Sequence, residues 1–382
     1  MQRKWVVAKF GGSSVKDAAA MLRCSGIIEA NPLIKVVVIS ATQNTTNHLE
    51  FIAKAAVAKD ENKLNELVDE LINRHKQIAM ELFTSPKVMK ELRLIGDDLK
   101  SISKNILTQS LTPRLMDELY AIGERISSLL VSDLLRLRMP SKEIVFLDAR
   151  GFIKTNSDYQ KAIPQIDLIA KKANEFIFPK LEGNTIFVTQ GFIGSDLEGF
   201  TTTLGREGSD YSAALIGEAI NASLVQIWTD VPGVASTDPR VVSNVKFIAN
   251  LSYDEATALA SLGAKVLFPT TLLPTKRKNI PVFVGSSLNP DQGGSLITST
   301  QDEKFCLKAV SAMKEQEGVI ISFVGVRLKE RLNLQDEIIN HMSSVKMRFL
   351  KSDDLSQSFL VEDSTLEMNQ ILNEAHKVLD YF

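Results

Sequence analysis

Apolar positions along the chain change period several times, and each change predicts an element. Residues 6–10, Val-Val-Ala-Lys-Phe, form a short apolar run that reads as a buried strand and stops at Gly11-Gly12. Ser13 and Ser14 follow where a helix N-cap belongs, ahead of a helical run over about 17–29. Residues 34–40 repeat the strand pattern with β-branched side chains and end in the polar turn 41–47. From His48 to about Leu137 the pattern is mainly helical: Leu64, Leu67, Val68, Leu71 and Ile72 recur at that spacing, as do Leu129, Leu130, Leu134 and Leu135. Ser85-Pro86 and Thr112-Pro113 punctuate it. Strand signals return at 144–147, 185–189, 225–228 and 280–284, with helical segments between several of them. Such alternation predicts an α/β fold with an open, mostly parallel sheet covered by helices on both faces.

Near Gly293-Gly294 the composition shifts. Strands are expected at 308–313, 319–324, 345–350 and 358–361, and helices at 334–342 and 366–378. They describe a small α+β module, so the chain divides into 1–300 and 301–382. Its 382 residues suffice for two sizeable cores, and 44% hydrophobic with 24% charged residues is ordinary globular usage. A net charge of -2 gives no electrostatic reason to expect nucleic acid or anionic lipid as a partner. No apolar run is long enough to span a membrane. Cys24 and Cys306 are too few for a disulfide framework, which fits a reducing cytoplasm, and the four histidines lack metal-ligand spacing.

Candidate chemistry gathers where strands end, the place where open α/β sheets bind ligands. A strand–Gly-Gly–Ser–helix turn aims backbone N–H groups at one spot that suits a phosphate, with the Lys9 ammonium beside it; a tight turn with a solvated lysine is the plainer alternative. Residues 201–210, Thr-Thr-Thr-Leu-Gly-Arg-Glu-Gly-Ser-Asp, offer the Arg206 fork to a carboxylate or phosphate, and Ser209 and Asp210 stand at a helix start. Equally, this stretch could be a capped turn with a surface arginine. Trp228-Thr229-Asp230-Val231-Pro232-Gly233 runs on to Asp238-Pro239-Arg240, where Arg240 could simply pair with Asp238, and Trp228 reads as core packing. Gly263-Ala264-Lys265 supplies a further lysine.

These segments, with Gly123-Glu124 and Thr189-Gln190-Gly191-Phe192, together resemble the aspartate kinases of the amino-acid kinase fold, nearest the bacterial lysine-sensitive type, over roughly residues 5–300. The tail resembles an ACT regulatory module. What the resemblance implies is phosphoryl transfer from MgATP to the β-carboxylate of L-aspartate. Lys9 and Lys265 would hold the transferring phosphates, aided by the amides of Gly11 and Gly12 and by Ser13, and Asp210 would orient the lysines near the metal-bearing phosphates. Arg206 and Ser209 would bind the aspartate carboxylate, Glu124 its ammonium, and Thr46 would line the pocket. Thr229, Asp230 and Arg240 would lie along the nucleotide. ATP and Mg²⁺ are thus the implied cofactors, and a homodimer through the ACT-like module the implied assembly. From the residues alone Glu124 could instead be a surface carboxylate.

The chain departs from the family pattern at several points. Glu207 and Asn44 stand where glycines are usual, Ala121 for a serine, Ala235 for a tyrosine and Phe268 for a histidine. The tail holds material for one ACT module, and the loop 326–332, where the family senses lysine, is filled with Arg327, Lys329 and Arg331. Little or no lysine inhibition is therefore expected. Two rival functions stay open: an amino-acid kinase with a shifted carboxylate substrate, and a non-catalytic regulatory protein on the same fold.

Overall fold

A computed structural model describes residues 4–264, 269–301, 304–362 and 366–382. The chain forms two compact units, one of residues 1–231 with 285–291, the other of 232–284 with 292–382.

The first unit begins with β1 (Val6–Phe10), α1 (Ala18–Ala30) and β2 (Ile34–Ile39). Four helices follow: α2 (Thr45–Val57), α3 (Glu61–Glu81), α4 (Pro86–Gln109) and α5 (Pro113–Arg138). Then come β3 (Glu143–Leu147), α6 (Ala149–Phe152), α7 (Ile166–Phe176), α8 (Phe178–Leu181) and β4 (Thr185–Gln190). A short hairpin of β5 (Ile193–Ser195) and β6 (Thr201–Thr203) precedes α9 (Gly208–Ala219) and β7 (Leu224–Thr229). Strands run side by side in the order β3-β4-β2-β1-β7, every neighbouring pair parallel. Every residue of β1 and β4 is buried, so both sheet faces are covered, α5 lying against β2, β3 and β4 and α9 against β1 and β7. This is the parallel α/β arrangement that the alternating pattern predicts.

Local chemistry sets the helix ends. Ser85 and Thr112 cap α4 and α5 through their hydroxyls, with Pro86 and Pro113 in the first helical turn, where a missing N–H costs nothing. At the first glycine turn the cap falls later than Ser13 or Ser14. Residues 12–15 make a 3₁₀ turn, and the Asp17 carboxylate accepts from Ala20 N–H at 2.7 Å to start α1. The strands β5 and β6 were invisible to periodicity because each is only three residues long and β6 is all threonine.

The second unit holds β8 (Asn250–Ser252), α10 (Tyr253–Ser261), α11 (Pro269–Arg277), β9 (Val282–Ser286, its last two residues counted with the first unit) and β10 (Gly294–Thr298). β8 and β10 pair in parallel. After them β11 (Cys306–Glu315), β12 (Gly318–Val326), α12 (Leu334–His341), β13 (Met347–Ser352), β14 (Ser356–Val361) and α13 (Met368–Val378) build a four-stranded antiparallel sheet, order β11-β12-β14-β13, with helices. Phe323, Phe359, Ile338, Ile371 and Val378 form its core, and Val242 joins them. Val242 belongs to an arm over 234–248 whose Ser236 carbonyl accepts from Val310 N–H at 2.8 Å and whose Ser236 hydroxyl meets His376 Nε2 at 2.8 Å. Among the described residues no helix is long and apolar enough to cross a membrane.

Candidate active site

At the carboxyl ends of β1, β2 and β4, within the first unit, lies a cavity of about 820 Å³. Lys9 enters it from the end of β1; although 8% exposed, it is paired through Nζ with Asp210 Oδ1. Beyond it the chain turns sharply, Gly11 N–H donating to the Trp228 carbonyl at 3.0 Å. Gly12 admits no side chain, because a Cβ would stand 2.9 Å from the Ala41 carbonyl oxygen. Gln43 N–H in turn donates to the Gly12 carbonyl at 3.0 Å, so the turn after β1 and the loop after β2 brace each other.

A second pair of elements meets at α9. A Cβ on Gly191 would lie 2.6 Å from the Ser209 Cβ, so glycine after β4 is what lets the start of α9 approach the sheet end. Glu207 precedes the helix in the left-handed region at φ 56, the conformation for which glycine is the default residue. Asp117 on α5 is fully buried and accepts from Thr203 N–H (2.9 Å), Thr203 Oγ1 (2.7 Å) and Gln160 N–H (2.9 Å), which fixes two further segments of the cavity wall. Burial raises its carboxyl pKa against those three donors.

Glu124 on α5 is 4% exposed. Its Oε1 accepts from Ala41 N–H at 3.2 Å, whereas Oε2 is buried with no hydrogen-bond partner among the described residues. Burial pushes this carboxyl up to about 7. A buried carboxylate oxygen without a donor, lining a cavity, is a place for a cationic group. The Glu207 carboxyl is also held above its usual range, by desolvation first and the neighbouring Asp210 charge second. Although the residue as a whole is exposed, its carboxyl turns in and hydrogen-bonds to Asp210.

Of the expected site residues, the cavity gathers Lys9, Gly12, Ser13, Thr46, Glu124, Arg206, Ser209 and Asp210. Gly11 lies just behind the wall: a Cβ there would be 3.4 Å from Lys9 Nζ. Thr229 ends β7 and Asp230 follows it, both outside the cavity lining, the Thr229 hydroxyl donating to Asp230 Oδ1 at 3.1 Å. Arg240 belongs to the second unit, where it forms a bidentate pair with Asp238, as the plainer sequence reading had it. Lys265 lies outside the described residues. Trp228 is buried and stacks on Phe10 at 6.4 Å, a packing role. Ser40, Glu50 and Tyr120 were not anticipated as lining residues. Each carried a signal: Ser40 directly follows β2, Glu50 is four residues after Thr46 on α2, and Tyr120 is four before Glu124 on α5.

The amino acid kinase family model matches residues 4–286. Over 311 residues the chain is 39% identical to the lysine-sensitive aspartokinase 3 of Escherichia coli (strain K12), covering 81% of this chain and 68% of the relative. The chain belongs to the amino acid kinase family, as an aspartokinase. It is also 34% identical to the aspartokinase of Chlamydia trachomatis over 316 residues, 81% of this chain and 69% of that one. Among solved structures, E. coli aspartokinase III in complex with aspartate and ADP matches with a TM-score of 0.87 at 29% identity, over 98% of this chain and 100% of that one. The same enzyme with lysine and aspartate in its T-state matches at 0.73 and 34%, over 99% and 84%. This aspartokinase is accordingly a phosphotransferase, and its fold is the family's α/β kinase fold followed by a small ACT-like sheet.

Proposed function

We propose that the cavity binds L-aspartate and the γ-phosphoryl end of MgATP and transfers that phosphoryl group to the β-carboxylate, giving 4-phospho-L-aspartate. The observation that carries this reading is the meeting of opposites in one cavity: a Glu124 oxygen with no hydrogen-bond partner among the described residues and the Lys9–Asp210 pair both line it. Glu124 takes the substrate ammonium, Arg206 and Ser209 its carboxylate, and Thr46 flanks it. The β-carboxylate is anionic at pH 7, so no general base is needed. The protein's work is to hold two anions in line and to neutralise charge as it spreads over the transferring group. Lys9 and Lys265 supply that charge, with the amides of Gly11, Gly12 and Ser13. Asp210 keeps Lys9 aimed, and Thr229 and Asp230 run along the nucleotide. Mg²⁺ enters as part of the nucleotide substrate, and the buried Asp210 carboxyl is the hard oxygen donor that suits it. Residues 1–300 act as the catalytic part and 301–382 as the ACT-like module, which pairs two copies along the open edge of β13.

We further propose that lysine inhibits weakly or not at all. In the loop after β12, Arg331 pairs with Glu337 at 2.7 Å and stacks on Phe305 and Phe382, while Lys329 and Arg327 face Asp354 and Glu330. Long cationic side chains already engaged there leave little to attract another ammonium. Titrating lysine into the assay tests this, and inhibition below millimolar lysine would overturn it.

ADP release measured across aspartate, glutamate and related acids tests the main reading. Turnover confined to aspartate supports it. Preference for another carboxylate would shift the substrate, and MgATP binding without turnover would leave a binding protein.

A further inference from the structure

Behind loop 41–47 lies a buried polar chain for which the reaction above has no use. His75 on α3 is fully buried, and its Nδ1 is 2.8 Å from the Leu71 carbonyl, one helical turn earlier. A carbonyl only accepts, so Nδ1 carries the proton. Burial pushes the imidazole down to about 4, which leaves it neutral and makes Nε2 a bare acceptor. Nε2 is 2.9 Å from Thr42 Oγ1, and Thr42 must donate. Its only hydroxyl proton is then used, so the 2.6 Å contact between Thr42 and Thr45 is filled by the Thr45 proton. Thr45 accepts in turn from Arg74 Nη2, next to His75 on the same helix. The run from Arg74 Nη2 through Thr45 and Thr42 to His75 and Leu71 thereby has one direction of donation, while Arg74 Nε is buried with no partner among the described residues.

This chain is anchored on α3 and ends in the loop whose Thr42, Gln43, Asn44 and Thr46 line the cavity. Besides the Ala41 and Gln43 backbone bonds, the loop has no helix cap to fix it: Asn44 sits in the left-handed region at φ 64, and α2 starts without a side-chain cap. We propose that Arg74 and His75 are positioning residues for the amino-acid substrate, fixing loop 41–47 through Thr42 and Thr45 without touching the substrate themselves. The buried bonds from Thr45 through Thr42 to His75 hold one geometry, because displacing the loop strands the Thr42 hydroxyl and His75 Nε2.

The inference rests on the aspartate reading of the cavity, and its test separates the two. Aspartate and MgATP are varied independently in steady-state assays of wild type, His75→Leu, His75→Gln and Thr42→Val. Loss of one buried hydrogen bond is expected to raise the KM for aspartate roughly tenfold in His75→Leu and Thr42→Val. The KM for MgATP should stay within about twofold, since the binding loss of one hydrogen bond falls on the other substrate. His75→Gln, whose side-chain oxygen can still accept from Thr42, should keep the aspartate KM near that of wild type. If His75→Leu does not fold, Thr42→Val read against His75→Gln decides. Variants that lose thermal stability while aspartate KM is unchanged would overturn the proposal. Glu124→Gln is the control: it should weaken aspartate however the loop is held, so a wild-type enzyme that ignores aspartate fails the reading of the cavity and not the role of His75.

Discussion

Replacing Glu124 by glutamine should make the protein more stable above neutral pH while stripping it of useful aspartate affinity. In the unfolded chain a glutamate ionises near 4.5; in the fold, burial delays ionisation of Glu124 to about 7. Between those values the unfolded state has lost a proton that the folded state retains. Stability conferred by the retained proton is therefore full below about 4.5 and is lost as pH rises through about 7. Each pH unit in that window costs about 1.4 kcal/mol, so the window as a whole costs about 3 kcal/mol. Glutamine occupies the same space, can accept from Ala41 N–H and has nothing to titrate. Thermal melts of variant and wild type, without ligand, should run close together at pH 5 and diverge by pH 8. For a unit of this size the gap should reach roughly 6–10 °C. Saturating aspartate should narrow it, because the substrate ammonium stabilises the ionised carboxylate of the wild type alone. A melting difference that stays flat from pH 5 to pH 8 would show that Glu124 ionises normally and would refute the reasoning.

Lys9→Ala should lower kcat by several orders of magnitude, because the charge acts mainly on the transition state. It should also lower the melting temperature, because it leaves the buried Asp210 carboxylate without its partner; a variant that keeps most of its kcat removes Lys9 from the mechanism. Glu207→Gly should raise kcat/KM at limiting Mg²⁺. A carboxylate roughly 7 Å from a phosphate oxygen costs about 2 kcal/mol at an effective dielectric near 20, and the left-handed backbone at φ 56 also suits glycine better. An unchanged value at every Mg²⁺ level would place the Glu207 charge out of reach. Gly191→Ala drives a methyl group against Ser209, so the start of α9 must shift. It should cost about 1–3 kcal/mol of stability and raise the aspartate KM, whereas a silent variant would mean that this approach is not what sets the site.

Much of this molecule can be read in short windows of sequence. The unbroken apolar runs of β1, β2 and β4, the glycines that follow β1 and β4, and the Ser-Pro and Thr-Pro helix starts are local features, each set by residues a few positions apart. The family resemblance likewise rests on short segments in order. The state of Glu124 was not legible in this way. It accepts from the backbone N–H of Ala41, 83 positions earlier, and its raised pKa comes from burial that no neighbour in sequence supplies. His75, one of the four histidines without metal-ligand spacing, owes its role to Thr42, 33 positions away, which the fold sets beside its Nε2. Arg240 shows the converse, since its partner Asp238 is two residues away and was anticipated. Periodicity and turn chemistry are properties of the local chain, whereas the charge and hydrogen bonding of a buried side chain depend on which distant segments the fold packs around it.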